Sequence, residues 1–368
     1  MEVSFLSDKL QEKLLFLNHA VSLRGQLPIL SCFLLKAGSG KLTIMATDLE
    51  IGISSTIVAK VEREGAVAVL AKNFTELLAN LGSQKITLTK QGDTLELKGE
   101  KVRASFQTMP EDEFPKLYDD KGSGQILLKK EDVEKYFMRV VFAASSTETT
   151  RPALSGVLVD DDDGKAMLVA TDSYRLSLQK NVFATGQGLK KPLIIPSRVI
   201  RELFLIKEGG EVKISVSEKN NQALFFLQDT TLVGRLIEAE YPEYQKIIPQ
   251  DFNTKTEANR EELLKAIRIA AVFARETANI IRFSIEKAKI TVSANSPSVG
   301  QDSVEVEAKT LGETNEIAFN AKYVLDILST LDEEEVVFEM NGPLNPGIFR
   351  LKGDSSFLHL VMPIRLQG

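Results

Sequence analysis

Three copies of one pattern of strands and helices run through the 368-residue chain, and this repetition constrains the fold more than any other feature. One recurring segment is a strand followed by a polar turn. It reads KLTIMATDLEIGIS at 41–54, KAMLVATDSYRLSL at 165–178 and KITVSANSPSVGQ at 289–301. In this alignment Asp48, Asp172 and Asn295 take equivalent positions, 124 and 123 residues apart. The chain is therefore expected to contain three similar domains of about 120 residues each.

Two helices are predicted in each repeat. The first is predicted near 8–22, 131–144 and 260–274, where apolar residues recur at helical spacing. The second follows directly after a strand within 67–81, 192–206 and 316–331. In the first helix of repeat 1, for example, Leu10, Leu14, Leu17 and Val21 make one apolar stripe.

Short alternating runs between these helices predict antiparallel strands, at 86–99, 212–227 and 336–351. Runs of strands with two interspersed helices favour an α+β fold rather than a doubly wound sheet. Polar connectors lie near 119–124 and 253–256. The predicted domains are therefore 1–124, 125–252 and 253–368.

The composition excludes several classes of protein. With one cysteine, Cys32, and two histidines, neither an intramolecular disulfide nor a cysteine-rich zinc site is possible. No apolar run approaches the ~18 residues that span a bilayer, so no membrane partner is expected. The first residues lack a basic segment followed by an apolar one, and the chain is predicted to be cytoplasmic.

The candidate catalytic residues have simpler structural explanations. Asp48 and Asp172 recur at one place in successive repeats, where Asp accepts backbone N–H bonds after a strand. The acidic run at 160–164 and the Gly38–Lys41 segment are predicted to be hairpin turns, and His19 and His359 to be packed or solvated. We therefore expect no enzyme, no cofactor and no metal; a hydrolase that uses Asp48 and Asp172 is the alternative.

Basic residues are paired on the predicted helices although the net charge is −6. Residues three or four apart share a helix face, so the pairs present local positive charge. The pairs are Lys9 with Lys13, Lys135 with Arg139, Lys265 with Arg268, and Arg198 with Arg201, while Lys72 and Lys322 stand at helix starts. Such faces permit weak contact with phosphates that does not depend on base sequence. Ordinary solvated faces, with acidic neighbours such as Glu12, explain the same pattern.

Seven short motifs in a fixed order resemble one family over the whole chain. They are LPIL at 27–30, ATDLE at 46–50, ATDSYRLS at 170–177, IIPSRVIREL at 194–203, YPEYQKIIP at 241–249, FNAKYVLDIL at 319–328 and VMPIRL at 361–366. With the triple repeat, they resemble the bacterial DNA sliding clamp, the β subunit of DNA polymerase III. The resemblance implies three clamp domains per chain and a head-to-tail dimeric ring. Helices line its hole and sheets form its outside.

The resemblance also implies that the ring encircles double-stranded DNA without sequence specificity and acts as a polymerase processivity factor. Arg24 matches a DNA-contacting arginine of the family, and Lys72 and Arg198 match basic lumen positions. Together with the helix pairs, the expected DNA-binding residues are Arg24, Lys72, Lys135, Arg139, Arg198, Arg201, Lys265 and Arg268. The sequence departs from the family pattern around 149–153.

A second working surface is implied between the central and C-terminal domains, where the family captures short Gln-Leu-x-Leu-Phe-like peptides. The implied partners are the replicative polymerase catalytic subunit, the clamp loader, and other polymerases and repair proteins that carry such motifs. The matching residues are Arg151, Leu154, Thr171, Ser173, Tyr174, Arg175, Leu176, Pro242, Lys246, Ile247, Val361, Met362, Pro363, Ile364 and Arg365. Tyr174 and Lys246 depart from the family pattern.

The dimer interface is expected to join the first domain of one chain to the third domain of its partner. The strand at 101–106 is predicted to be a charged edge, with Arg103 beside the apolar Phe106. Val272 and Phe273, at the end of a helix, match the apolar patch of the partner. A protein-interaction scaffold that binds peptides without encircling DNA is the second alternative function.

Overall fold

The computed structural model describes residues 1–22, 27–118, 120–146, 150–185, 189 and 191–365. Within this part of the chain, the predicted strands and helices recur three times. All strand pairs are antiparallel, which confirms the α+β fold.

The first repeat contributes nine described strands and two α-helices. In chain order they are β1 (Glu2–Leu6), α1 (Ser7–Leu17), β2 (Cys32–Gly38), β3 (Lys41–Thr47), β4 (Ile51–Val58), β5 (Lys60–Arg63), β6 (Gly65–Leu70), α2 (Ala71–Ala79), β7 (Lys85–Gln91), β8 (Thr94–Lys98) and β9 (Arg103–Met109).

The second repeat follows the same plan. Its elements are β10 (Ser123–Lys129), α3 (Lys130–Val141), β11 (Gly156–Asp162), β12 (Lys165–Thr171), β13 (Arg175–Gln179), β14 (Leu193–Pro196), α4 (Ser197–Leu205), β15 (Glu211–Ser217), β16 (Gln222–Phe226) and β17 (Thr230–Arg235). A 3-10 turn precedes the strand after the first helix in both repeats, at Pro28–Ser31 and Pro152–Ser155.

The third repeat completes the chain. Its elements are β18 (Thr254–Asn259), α5 (Arg260–Ala274), β19 (Ile280–Ile285), β20 (Lys289–Ser296), β21 (Gly300–Gly312), β22 (Asn315–Asn320), α6 (Ala321–Thr330), β23 (Glu335–Met340), β24 (Gly347–Leu351) and β25 (Asp354–Val361). No described helix is long and apolar enough to cross a membrane.

Side-chain caps and apolar stripes explain where the helices of the third repeat form. The Asn259 side chain accepts hydrogen bonds from the backbone N–H groups of Glu261 and Glu262, which begins α5. Asn320 caps α6 in the same way. The apolar spacing predicted for the first helix of repeat 3, with Leu263 or Leu264 followed by Ile267, Ala270 and Ala274, is confirmed, because these residues are buried and both leucines are among them.

The chain divides into two compact units, and each unit contains one antiparallel sheet. The first unit consists of Met1–Val133 and Arg198–Leu236. The strand order in its sheet is β10-β15-β16-β17-β4-β3-β2-β6-β9-β8-β7-β1-β5. The second unit consists of Glu134–Ser197 and Ile237–Gly368. The strand order in its sheet is β14-β11-β12-β13-β25-β24-β23-β18-β21-β20-β19-β22. The central repeat contributes strands to both sheets, so the two units do not coincide with the three repeats. The domain limits 1–124, 125–252 and 253–368 therefore stay a prediction.

Helices cover one face of each sheet. In the second unit, Ile267 of α5 and Leu328 of α6 pack with Phe283 and Phe319 of the strands in one apolar cluster. The rings of Phe283 and Phe319 meet edge to face at 5.7 Å, a favoured geometry for buried aromatic pairs. Because strand side chains alternate, the residues between these core positions face away from the helices.

The predicted hairpins are confirmed, but one position of the repeat alignment is wrong. Gly38–Lys41 and 160–164 form the turns of β2-β3 and β11-β12. Strand register pairs Leu34 with Met45 and Arg282 with Ser293, so Ser296 rather than Asn295 stands at the place of Asp48. Asn295 lies within β20, which is one residue longer than the equivalent strands β3 and β12.

Candidate functional site

A tight turn after β12 presents the central part of the predicted peptide pocket. The Asp172 carboxylate accepts hydrogen bonds from the backbone N–H groups of Tyr174 and Arg175, both at 3.0 Å. The Thr171 hydroxyl donates to the Arg175 carbonyl at 2.6 Å. Ser173 has φ +76°, a conformation that this local bonding stabilises. The turn therefore fixes the position from which Tyr174 projects.

Repeat 1 contains the same turn, which confirms the structural role predicted for the two aspartates. Asp48 accepts from the N–H groups of Glu50 and Ile51, and Leu49 has φ +78°. Thr47 donates to the Ile51 carbonyl at 2.8 Å. Each carboxylate is thus committed to backbone donors and to an arginine.

Arg175 joins three segments behind this turn. Its side chain is 7% exposed and donates to Asp172 at 3.0 Å, to Asp326 at 2.6 Å and to the Phe142 carbonyl at 2.8 Å. Its guanidinium also lies 4.7 Å from the centre of the Tyr323 ring, a cation–π contact. Arg175 therefore supports the wall of the pocket from inside, and its donors are used within the protein.

The C-terminal segment runs from β25 past this turn and is hydrogen-bonded on both sides. Val361 is the register partner of Arg175 in the β13-β25 pair. The Met362 N–H then donates to the Tyr174 carbonyl, and the Ile364 N–H donates to the Ala318 carbonyl of β22, both at 2.8 Å. The structure thus brings Tyr174 and the 361–365 segment together, as the resemblance implies.

The predicted pocket residues include buried side chains and three exposed apolar side chains, which we call the rim. Leu154, Thr171, Leu176 and Val361 are at most 5% exposed. At the rim, Tyr174 is 63% exposed, Ile247 46% and Met362 38%. Exposed large apolar side chains that lie close together are typical of a protein-binding surface. Arg151, Ser173 and Arg365 are exposed, while Pro363 and Ile364 are half-buried.

The segment that carries Pro242, Lys246 and Ile247 is anchored by two tyrosines. Tyr241 donates to the Val169 carbonyl at 3.2 Å, and Tyr244 packs in the cluster that contains Leu176. Burial, with the charges of Asp160 and Asp162, raises the pKa of Tyr244 to about 12. Pro242 and Lys246 are exposed, and Lys246 pairs with Glu243, its neighbour on the same turn.

Sequence reasoning missed the residues that hold this wall in place. The Tyr323 ring stacks on Tyr174 at 6.4 Å with an interplanar angle of 20°, and Asp326 pairs with Arg175. Both lie on α6 within the FNAKYVLDIL motif, but their neighbours suggested only an apolar helix stripe. Tyr323 and Asp326 are three residues apart and share one helix face, and this spacing is the signal that could have identified them.

Most of the predicted basic residues are exposed on their helices. Lys72 on α2, Lys135 on α3, and Lys265 and Arg268 on α5 are exposed, as is Arg201 on α4. Arg198 is exposed but engaged, because it donates to Asp48 at 2.6 Å and to the His19 carbonyl at 2.8 Å. Lys13 pairs with Glu208 at 2.5 Å. Arg24 lies outside the described residues.

The prediction that Arg139 shares an exposed basic face with Lys135 is wrong. Its side chain is 4% exposed, pairs with Glu333 and donates to Gln179 at 3.2 Å. The residues after α6 cover this side of α3, which helical spacing alone did not reveal. Arg139 therefore stabilises the second unit rather than presenting charge to solvent.

The four residues predicted at the dimer interface have distinct surroundings. Arg103 to Gln107 of β9 pair with β8, and only Thr108 and Met109 pair with β6. Phe106 is half-buried and meets Phe74 edge to face at 5.6 Å, and Arg103 is exposed. In the other unit, Val272 is 52% exposed beside the half-buried Phe273.

Among the described residues, no three His, Cys, Asp or Glu side chains cluster as metal ligands. His359 is buried in β25 opposite Ser177 of β13, with Nδ1 2.6 Å from the Ser177 hydroxyl. Burial, with the nearby Arg175 charge, lowers the pKa of His359 well below its usual value.

Comparison with known proteins agrees with this description. Residues 1–118, 127–243 and 245–365 match the N-terminal, central and C-terminal domain models of the DNA polymerase III beta subunit. A beta sliding clamp of Bacillus subtilis is 28% identical over 99% of this chain and 100% of its own length. One of Staphylococcus aureus is 30% identical over 94% of each chain.

Solved structures show the same fold. A sliding clamp from Bacillus subtilis aligns with a TM-score of 0.93 and 27% identity. A sliding clamp from Bartonella birtlesii bound to griselimycin aligns with a TM-score of 0.92 and 25% identity. Both alignments cover 100% of each chain. The chain belongs to the DNA polymerase III beta subunit family, the beta sliding clamps.

Proposed function

We propose that this chain is a processivity factor that encircles duplex DNA and tethers the replicative polymerase and other proteins through the pocket around Tyr174 and Met362. The observation that carries the proposal is the contact between the turn at Tyr174 and the C-terminal segment at Met362, which are far apart in sequence. The Met362 N–H donates to the Tyr174 carbonyl, and the side chains of both residues are exposed. Tethering raises the local concentration of polymerase at its template without any change in its chemistry.

Partner peptides of the Gln-Leu-x-Leu-Phe type fit the chemistry of this surface. Leucine and aromatic anchors bury apolar area best in a rimmed apolar depression. Ile247, Met362 and the Tyr174 ring supply that rim. The polymerase catalytic subunit, the clamp loader, and other polymerases and repair proteins with such motifs are the proposed partners. The motif preference follows from Tyr174 and Lys246, where the chain departs from the family pattern.

Contact with DNA is proposed for the exposed basic residues on the helices. Lys72, Lys135, Arg201, Lys265 and Arg268 supply weak, salt-sensitive attraction to phosphates. Arg198 contributes charge from a fixed position, since Asp48 and His19 hold it. No base readout is required for a protein that slides.

Encirclement requires two chains, and the proposed contact joins β9 of one chain to the third repeat of its partner. Among the described residues, no strand pairs with the second side of β9 at Arg103–Gln107, and this edge supports the assignment together with the exposed Val272. A head-to-tail contact made twice about a two-fold axis closes a ring. The protein is proposed to act in the cytoplasm, without catalysis, cofactor or metal.

Fluorescence anisotropy of a labelled Gln-Leu-x-Leu-Phe peptide tests the pocket. We expect saturable binding to the intact chain and loss of binding when the chain is truncated after Val361. Met362→Asp should weaken binding at least about tenfold, because it places a charge on the apolar rim.

Val58→Asp is the matched control, since Val58 is an exposed apolar residue of β4 outside the pocket. Its affinity for the peptide should equal that of the unchanged chain. Equal binding by the Met362→Asp and Val58→Asp variants would contradict the proposed pocket. A scaffold that does not encircle DNA would bind peptide normally but would not be retained on circular DNA after loading.

A further inference from the structure

The outer face of the sheet carries an apolar position in the first two repeats and an arginine in the third. Strand register identifies the position: Leu34 lies between Met45 and Ala68, and Leu158 lies between Val169 and Ile194. In the third repeat, Arg282 lies between Ser293 and Ala318. All three positions alternate with core residues, so they face away from the helices.

In repeats 1 and 2, the chain itself covers this face. After β9 reaches β6 at the Met109–Ala68 pair, Phe114 and Leu117 pack in the cluster that Leu34 and Met45 adjoin. Both are 7% exposed. The segment after the last strand of the repeat thus supplies apolar side chains that cover the outer face.

Repeat 2 shows the same arrangement with different residues. The Ile237 N–H donates to the Ile194 carbonyl of β14 at 2.9 Å. Seven residues later, Tyr244 packs in the cluster that contains Leu158 and Ile194, and it is 4% exposed. The covering side chain again follows a backbone contact with the same strand of the repeat.

In the third repeat the described residues leave a cavity of about 790 Å³ at this place. The Ile364 N–H makes the equivalent contact, to the Ala318 carbonyl of β22 at 2.8 Å. The cavity has an apolar side formed by Ala318, Pro343, Leu344 and Ile364, and Leu344 is 62% exposed. Its polar side includes Ser284 and the Arg282–Glu316 ion pair at 2.8 Å.

This cavity adjoins the pocket of the proposed function along the chain, because Ile364 and Arg365 line it and directly follow Met362 and Pro363 of the C-terminal segment. We propose that it binds the stretch of a partner polypeptide that flanks the pocket-binding motif. One apolar side chain of that stretch rests against Leu344 and Ile364, as Phe114 and Tyr244 do on the outer faces of their own repeats. The inference rests on the proposed function and extends it beyond the motif.

The test compares three labelled peptides by anisotropy. The first is Gln-Leu-Ser-Leu-Phe alone; the second carries a Thr/Ser extension of about six residues; the third carries the same extension with two Phe residues. Extensions are placed at either end in separate peptides. At one end of the motif, we expect the Phe extension to raise the affinity about tenfold, the gain typical of one further buried anchor. The Thr/Ser extension should leave the affinity unchanged.

Ser284→Tyr fills the cavity and leaves the motif pocket untouched. It should remove the gain from the Phe extension while the short peptide binds as before. Ser293→Tyr is the matched control, because Ser293 is also half-buried on the outer face but does not line the cavity. This control should keep the full gain.

The outcomes separate the two claims. No binding of the short peptide contradicts the proposed function itself. Binding of the short peptide with no gain from either Phe extension, or a gain that survives Ser284→Tyr, overturns the inference alone. A changed sedimentation coefficient for Ser284→Tyr, with Ser293→Tyr unchanged, also overturns it, since the face would then be a contact between copies of the chain.

Discussion

Several buried side chains of this protein hold the backbone near the pocket in one conformation. Asp172 and Thr171 hold the turn, and Arg175 connects that turn to α6 and to the end of α3. His359 supports the same region through Ser177. The surface that meets a partner is therefore set by buried polar contacts.

Removing Arg175 should lower stability strongly. In Arg175→Ala, the carboxylates of Asp172 and Asp326 lose their buried partner, which typically costs about 3–5 kcal/mol. Lys246→Ala is the control, because its pair with Glu243 is exposed and surface pairs contribute about 0–1 kcal/mol. Urea denaturation measures both. Equal midpoints for the two variants would show that Arg175 does not support this region.

His359 should make stability depend on pH. Its folded-state pKa lies well below the usual value of 6.5, so below about pH 6.5 the unfolded chain takes up a proton that the folded chain excludes. The contribution of the neutral His359 to the free energy of unfolding should therefore be fully present above about pH 6.5. It should fall as the pH is lowered, by up to about 1.4 kcal/mol per pH unit.

Urea denaturation at about pH 7.5, 6.5 and 5.5 checks this slope. His359→Asn should show a smaller loss at low pH, since Asn does not titrate. His19→Asn, which alters the other histidine of the chain, should keep the loss seen in the unchanged protein. An identical pH profile for the His359→Asn and unchanged chains would refute the assignment.

At the scale of helices and strands, the helix α3 shows that spacing on a helix does not fix what faces solvent. Lys135 and Arg139 are four residues apart, yet only Lys135 is exposed, because Glu333 and Gln179 enclose Arg139. The two residues should therefore respond differently in DNA binding.

Lys135→Ala should weaken association with duplex DNA at low salt and reduce the dependence of affinity on salt by about one released ion per contact. Arg139→Ala should leave that dependence unchanged and lower stability instead, by about 3 kcal/mol, because Glu333 loses its partner. Anisotropy of labelled DNA over a salt series, with urea denaturation of the same variants, measures both effects. A reduced salt dependence for Arg139→Ala would contradict the burial of its side chain.

The contrast between Lys135 and Arg139 shows which features of the fold and the site can be predicted from the sequence. Periodicity predicted all six helices found in the described residues and the hairpins between them, since apolar spacing is local. It misplaced Arg139, missed Tyr323 and Asp326, and shifted Asn295 by one position. Each of those depends on which distant segment packs alongside, such as the stack of Tyr323 on Tyr174. The pocket residues themselves came from family resemblance, because no local pattern marks them.

At the scale of the whole molecule, the account requires that two chains close a ring. Phe273→Arg places a charge in the apolar patch beside Val272, and should give monomers of 40.7 kDa in sedimentation equilibrium. Lys265→Ala on the exposed face of α5 is the control and should stay dimeric. A dimer of unchanged affinity for Phe273→Arg would rule out this patch as the interface.

The most direct test of a clamp is retention on DNA by topology rather than by affinity. The labelled protein is loaded onto nicked circular plasmid by a clamp loader of its own organism and then passed through a gel-filtration column in high salt. The account predicts that the protein elutes with the circular plasmid and is lost once the plasmid is cut to a linear form, since salt weakens phosphate contacts but not encirclement. Equal retention on both forms, or on neither while peptide binding is intact, would contradict it.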